Sequence, residues 1–211
     1  MTHLYLIRHG RTAWNDDDRL QGWADEPLNA LGLQQAAALG AWLHAVAFAA
    51  IYTSPLLRAR QTAECLAQPH GLPPRLDDRL RERNVGDWTG LTLDQAQALA
   101  PERFDGDWRQ AGAPGGEGQA ALTARVAAAL DSILAANLEG TVAVVSHGGA
   151  LSAGLAHLLG IPASHTVSFS FHNTAIARVS VRPGDGGTPQ VRLVSLGDDQ
   201  HLEELRMKDE R

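Results

Sequence analysis

At 211 residues, 44% hydrophobic and 20% charged, the chain is long enough to bury one α/β core and short for two. A net charge of −6 argues against bulk attraction to nucleic acid or to an anionic membrane, so any anion it binds has to be held by a local cluster of positive groups. The single cysteine, Cys65, excludes an intrachain disulfide and a cysteine-built metal cage, and with Lys208 the only lysine, local positive charge means arginine.

In chain order, "LYLI" (4–7) is a short apolar run stopped by Gly10 and reads as a buried strand. Residues 29–46 carry alanine and leucine at helical spacing, with Asn29 as N-cap, Trp42 as a core residue and His44 at the surface. "AAIYTSP" (49–55) is a second strand, and 56–68 a helix with Arg58 in its first turn and Cys65 as a small core residue. The Pro-, Gly- and charge-rich stretch 71–90 is a loop, a place where function concentrates. A brief helix (92–99), an irregular stretch (101–118) and an alanine-rich helix (119–137) follow. "TVAVVSHGG" (141–149) is the most apolar strand, with a helix over 150–160 after it. Residues 167–182 alternate as a strand or hairpin, 190–197 add another strand, and the polar end "EELRMKDER" reads as a fraying tail. Strands alternating with helices predict a mainly parallel sheet with the last strands at an edge. The N-terminus enters a strand without a signal-peptide pattern, and no apolar run has the length of a membrane span, which points to a cytoplasmic protein.

Three strands end in polar groups: the first at Arg8-His9-Gly10, the second at Ser54 and then Arg58, the third at Ser146-His147-Gly148. In open parallel sheets the ligand crevice lies at the carboxyl ends of the strands, so these groups converge. Two arginines and two histidines around one space describe a pocket for a dianion. Glycine after each histidine lets the backbone come close to a ligand, and the helix after His147 offers amides to the same anion. "GEGQAA" fits a nucleotide-binding pattern but follows a loop instead of a strand, which removes the Rossmann context.

"LIRHG", "RLQGWADEPLNALGLQQA", "SPLLRARQTAE", "LRERNVGDWTG" and "VVSHG" occur in that order. On these motifs, from residue 4 to about residue 173, the chain resembles the histidine phosphatase superfamily, the phosphoglycerate mutase-like proteins. The resemblance implies a single α/β domain over 1–211, a three-layer α/β/α sandwich, with residues 82–118 contributing a small lid. It implies that His9 is a nucleophile that becomes phosphorylated, that Arg8, Arg58 and His147 form the phosphate pocket with Asn15, Gln21, Gly22 and Gly148 as further contacts, and that Glu82 is the proton donor. Chemistry agrees with those roles. A neutral imidazole can attack phosphorus, and flanking arginines disfavour a third positive charge on His9. Fixed guanidinium groups stabilise the charge of a transferring phosphoryl group. No metal and no cofactor is implied, and no metal-ligand spacing stands out among the histidines.

Two positions depart from the family pattern: Arg11 stands where many relatives carry glutamate and is expected to point outward, and Gly118 replaces the serine of "PGGES", with Glu117 a remaining candidate. The span from Gly90 to Pro114 is shorter than in the cofactor-dependent mutases, which favours a phosphomonoester hydrolase over a mutase. A catalytically silent phosphate-binding module is disfavoured by the complete residue set. Trp88, Phe104, Trp108 and Arg109 lie where the pocket is capped, suggesting an aromatic entrance with one cation. The expected partner is a small phosphorylated metabolite, with neither nucleic acid nor membrane, and the C-terminal strand edges are candidates for pairing in a homodimer.

Overall fold

The computed structural model describes residues 1–165, 167–184, 189–203 and 205. Its first element, β1 (Thr2–Arg8), outruns the apolar stretch at both ends. Thr2 and His3 pair with Gly140 and Thr141 on one side and with Val181 and Ser180 on the other, and backbone pairing is indifferent to side-chain polarity. One turn of helix, α1 (Ala13–Asp16), opens on a capping box in which Thr12 and Asn15 satisfy each other's amides. Helix α2 (Ala30–Trp42) begins as expected, Asn29 accepting from the Gly32 amide, but stops short of residue 46. Its buried face runs through Ala36, Leu39 and Gly40 to Leu43, so Trp42 is exposed and not in the core; His44 is exposed.

Next come β2 (Phe48–Thr53) and α3 (Leu57–Ala67), on which Cys65 is only partly buried, not a core residue. Within the stretch read as loop, a two-residue strand β3 (Arg75–Leu76) pairs with the end of β2, too short to leave a periodic signal. Helix α4 (Leu93–Leu99) has a second capping box, Thr92 with Gln95. Residues 101–118 are more ordered than their composition suggested, with a tight turn at Pro101–Phe104 and a one-turn helix α5 (Trp108–Ala111). Helix α6 (Gln119–Ala136) leads to β4 (Gly140–Ser146). Helix α7 (Gly148–Leu158) starts two residues before the predicted position, because the extended His147 serves as its N-cap. Only Ile176–Arg182 (β5) of the alternating 167–182 run is strand; Phe169 and Phe171 pack on the core from irregular backbone. Strand β6 (Gln190–Asp198) completes the fold. Of the predicted fraying tail, all but Glu203 and Leu205 lies outside the described residues.

The sheet order is β3-β2-β4-β1-β5-β6, parallel from β3 to β1 and antiparallel at β5 and β6, which form one edge as predicted. Leu4 and Leu6 of β1 face Leu122, Val126 and Leu130 of α6 and the apolar side of α7. Ile7, Ile51 and Val145 face Leu39 of α2 and Ala63 and Leu66 of α3. Helices on both faces of the sheet give the α/β/α sandwich. A third cluster, Val85, Trp88, Ala96, Ala100 and Trp108, packs the 85–113 segment beside the carboxyl ends of β1 and β4. Among the described residues no helix is long and apolar enough to cross a membrane.

Candidate active site

Parallel pairing sets the ends of β1 and β4 side by side, with Arg8 in register with Ser146 and the His9 amide donating to the Ser146 carbonyl at 2.9 Å. The two histidines that follow come within 5.2 Å, ring centroid to ring centroid. The Nδ1 of His9 lies 2.6 Å from the Gly10 carbonyl oxygen. A carbonyl only accepts, so Nδ1 carries the proton and the Nε2 lone pair is left for chemistry. Burial first, then Arg58 and Arg8, hold the His9 pKa well below the ordinary histidine value, so the ring is neutral.

His147 is equally buried and neutral, for burial and then the Arg58 charge push its pKa down as well. Arg58 Nε donates to its Nδ1 at 3.2 Å, which leaves Nε2 to donate to Ser54 Oγ at 2.8 Å. Arg58 itself is buried without a carboxylate partner among the described residues, its Nη groups donating to the Gly22 and Ala24 carbonyls at 2.8 and 2.7 Å. Desolvation brings its pKa down to about 10. Arg8 is tied by Nη1 to the Phe171 carbonyl at 2.7 Å, while its buried Nε has no partner.

A cavity of about 380 Å³ opens over these groups, walled by Arg8, His9, Asn15, Gln21, Gly22, Glu82 and Gly148 together with Arg19, Leu20, Arg83, Val85, Trp108, Arg109 and Gly149. Seven of the nine predicted site residues therefore share one cavity. Arg58 and His147 do not reach its wall; they are packed next to the His9 ring, fully buried. The buried Gln21 Oε1 has no partner.

Glu82 comes from the loop before the 85–113 segment. Its carboxylate accepts the amides of Gly149 at 3.0 Å and Ala150 at 3.1 Å, at the first turn of α7, and its own neighbour's amide, Arg83, at 2.7 Å. Two of the α7 amides expected to face the substrate anion, those of Gly149 and Ala150, are therefore taken up by Glu82. A Cβ on Gly149 would lie 2.5 Å from Glu82 Oε1, whereas one on Gly148 would meet Arg8 only at 3.8 Å. Gly149 is thus the glycine that the Glu82 carboxylate requires, while Gly148 leaves open space on the cavity wall. Gly10 is corrected too: its Cβ would lie 2.6 Å from the Gly32 carbonyl, so it packs the loop on α2 and does not serve a ligand.

Trp23 Nε1 and Arg125 Nη2 donate to the Glu82 carbonyl at 2.7 and 3.1 Å. Arg125 also holds the Arg79 and Arg81 carbonyls and forms an ion pair with Glu117. Glu117 therefore braces the Glu82 loop from outside the cavity. Gly118 occupies the N-cap of α6, where a Cβ would lie 2.5 Å from the Gln110 carbonyl, so a serine would be crowded. Arg11 pairs with Asp16 and points away, as expected.

Of the aromatic residues expected at the entrance, Trp108 reaches the wall, while Trp88 and Phe104 stack on each other at 5.4 Å inside the segment's own cluster. Arg83, not among the predicted site residues, is with Arg58 a second buried arginine without an ion-pair partner among the described residues. It donates to the Arg109 and Glu117 carbonyls and to Gln119, and lines both this cavity and an adjoining one of about 350 Å³. The turn at Asn173-Thr174 was also missed, since nothing in "FHNTA" marks it. Thr174 sits at φ +59°, strained for a β-branched residue by about 1–3 kcal/mol, and its amide donates to the Arg8 carbonyl at 3.1 Å.

A neutral imidazole beside guanidinium groups that have no ion-pair partner among the described residues, with a carboxylate across one polar cavity, defines an enzyme-like site for an anionic ester. The family profile of the histidine phosphatase superfamily (branch 1) matches residues 4–194, and the chain belongs to that superfamily. It is 35% identical, over 96% of both chains, to "Probable phosphoglycerate mutase GpmB" of Yersinia pestis. Among solved structures, YhfR of Bacillus stearothermophilus superposes with a TM-score of 0.84 at 39% identity, covering 96% of this chain and all of that one. A mycobacterial glucosyl-3-phosphoglycerate phosphatase complexed with VO3 gives 0.83 at 34% identity, covering 92% and 98%. Phosphoserine phosphatase of Entamoeba histolytica gives 0.80 at 29%, covering 96% and 100%. These neighbours share the phosphoglycerate mutase-like fold.

Proposed function

We propose that the protein is a phosphomonoester hydrolase that works through a phosphohistidine at His9. The single observation carrying this reading is the protonation pattern of His9, whose Nδ1 proton is committed to the Gly10 carbonyl while burial and two arginines keep the ring neutral. The Nε2 lone pair forms a bond to phosphorus as the ester P–O bond breaks. Arg8 on the cavity wall and Arg58 behind it offset the charge on the equatorial oxygens, Asn15 and Gln21 donate from the wall, and His147 joins them once substrate draws its Nε2 proton away from Ser54. Glu82 supplies the proton that the leaving alkoxide takes up. Water then attacks phosphorus, Glu82 accepts its proton, the N–P bond breaks, and phosphate leaves.

The phosphatase neighbours and the short Gly90–Pro114 span favour hydrolysis. Arg83, buried on the cavity wall with no ion-pair partner among the described residues, favours an alcohol that carries its own negative group, and residues 82–118 serve as the lid over it. Similarity to the GpmB relatives favours a second reading, phosphoglycerate mutase activity. The purified protein, given 3-phosphoglycerate with 2,3-bisphosphoglycerate, is expected to release free phosphate faster than it forms 2-phosphoglycerate; the reverse order selects the mutase. His9→Ala is expected to fold, lose turnover and fail to form the acid-labile phosphoprotein seen on rapid quenching. Turnover in that variant removes the nucleophile assignment.

A further inference from the structure

We infer that Asn173 is a positioning residue that sets which end of the Asn15 amide faces the phosphoryl group, an inference resting on the phosphate-site reading above. The chain of polarity begins at the His9 carbonyl oxygen, which can only accept. It lies 3.0 Å from Asn173 Nδ2, so the nitrogen end of the Asn173 amide is identified by its partner and not by choice. The same Nδ2 donates to Asn15 Oδ1 at 3.3 Å. Two further donors reach that oxygen, the Thr12 amide at 3.3 Å and the Thr12 hydroxyl at 3.2 Å. The two N–H contacts, from the Thr12 amide and from Asn173, require an acceptor, and the hydroxyl can donate to the same atom, so the Asn15 oxygen is turned inward to the loop. The Asn15 Nδ2, which has no protein partner among the described residues, is the end left for the cavity that Asn15 lines. Two hydrogens suit phosphoryl oxygens; the carbonyl end would repel them.

The relay also ties the amide to the nucleophile's own backbone. One NH2 group bridges the His9 carbonyl and Asn15, so the attacking residue and a phosphate donor are held in fixed relation by a residue outside the cavity wall. Asn173 is itself held in place by the turn at Thr174, whose amide bonds the Arg8 and His9 carbonyls at 3.1 and 3.3 Å. A hydrogen bond to a charged acceptor that is lost through misorientation costs roughly 10- to 100-fold in affinity.

The test is a double-mutant cycle on binding of inorganic phosphate by calorimetry, which needs no turnover, with kcat/KM for p-nitrophenyl phosphate as a second readout. Asn15→Ala and Asn173→Ala are each expected to weaken phosphate binding by roughly 10-fold or more, and the double variant to bind no worse than Asn15→Ala alone. Asn173→Asp fills the same space but offers acceptors to two acceptors, and is expected to lose at least as much as Asn173→Ala. Multiplying effects in the double variant, or a normal Asn173→Asp, overturns the relay while leaving the phosphate site standing. Wild-type phosphate binding in Asn15→Ala removes the donor itself, and with it both the relay and the phosphate role of Asn15.

Discussion

At the scale of single residues, the site is organised by which atoms already have partners. His9 Nδ1 and both nitrogens of His147 are occupied, and burial leaves both rings neutral, so neither histidine should titrate near its ordinary pKa of about 6.5. Nitrogen-15 NMR of the two imidazoles is expected to show the neutral forms persisting below pH 6; a midpoint near 6.5 for His9 contradicts the buried, arginine-flanked site. Glu82 faces the same cavity as His9, held by three backbone amides. Glu82→Gln can keep the Arg83 and Ala150 amides on its one oxygen, turns its NH2 toward the Gly149 amide, and cannot deliver a proton. It is expected to slow alkyl phosphates by about 10²–10⁴-fold and p-nitrophenyl phosphate far less, because nitrophenolate leaves without protonation. Equal slowing of both esters counts against the acid role.

At the scale of elements, the first turn of α7 is the junction where strand, helix and loop meet. β4 ends at Ser146, His147 caps the helix, and the next amides bind Glu82 from a loop that Arg125 and Trp23 brace from behind. The two glycines after His147 are therefore not equivalent. Gly149→Ala places a methyl against Glu82 Oε1, so kcat for an alkyl phosphate is expected to fall by about 10²-fold or more, the scale of losing the acid. A Gly148→Ala methyl meets no protein atom nearer than 3.8 Å and leaves Glu82 seated, so its loss is expected to appear in phosphate binding and equally for alkyl and p-nitrophenyl esters. A harmless Gly149→Ala shows that Glu82 is not seated on this helix during turnover.

At the scale of the whole molecule, burying two neutral histidines couples stability to pH. Their folded pKa values lie below the unfolded value of about 6.5, so in acid the unfolded chain binds protons that the folded one refuses. Above pH 6.5 this term vanishes; as pH falls below 6.5, stability falls with it until the folded pKa values are reached. Urea midpoints are expected to decline between pH 7 and pH 5, and less steeply in His147→Asn than in the wild type. Matching slopes in the two proteins show that His147 is not a source of the dependence. The three-layer packing forces this burial, since the histidines sit where β1 and β4, covered on both faces, run out.

The layered fold and the strand-terminal arginines and histidines were legible in the sequence because they rest on local signals: apolar runs, helical spacing, and charge placed directly after a strand. Asn29 as a cap and the place of the last strands at a sheet edge followed from the same kind of reading; their antiparallel direction did not. Trp42, Cys65 and the 167–175 alternation misled it, because which face of a helix is covered, and whether alternating residues find a partner strand, depends on neighbours distant in the chain. The partners of each site atom were decided only by tertiary structure. That Gly149 and not Gly148 receives Glu82, that Arg58 lies behind the cavity and not on its wall, and that Asn173 orients Asn15 from 158 residues away all follow from hydrogen bonds between segments the sequence leaves far apart. Such bonds are directional and short-ranged, so composition and periodicity carry no trace of them until the chain has folded.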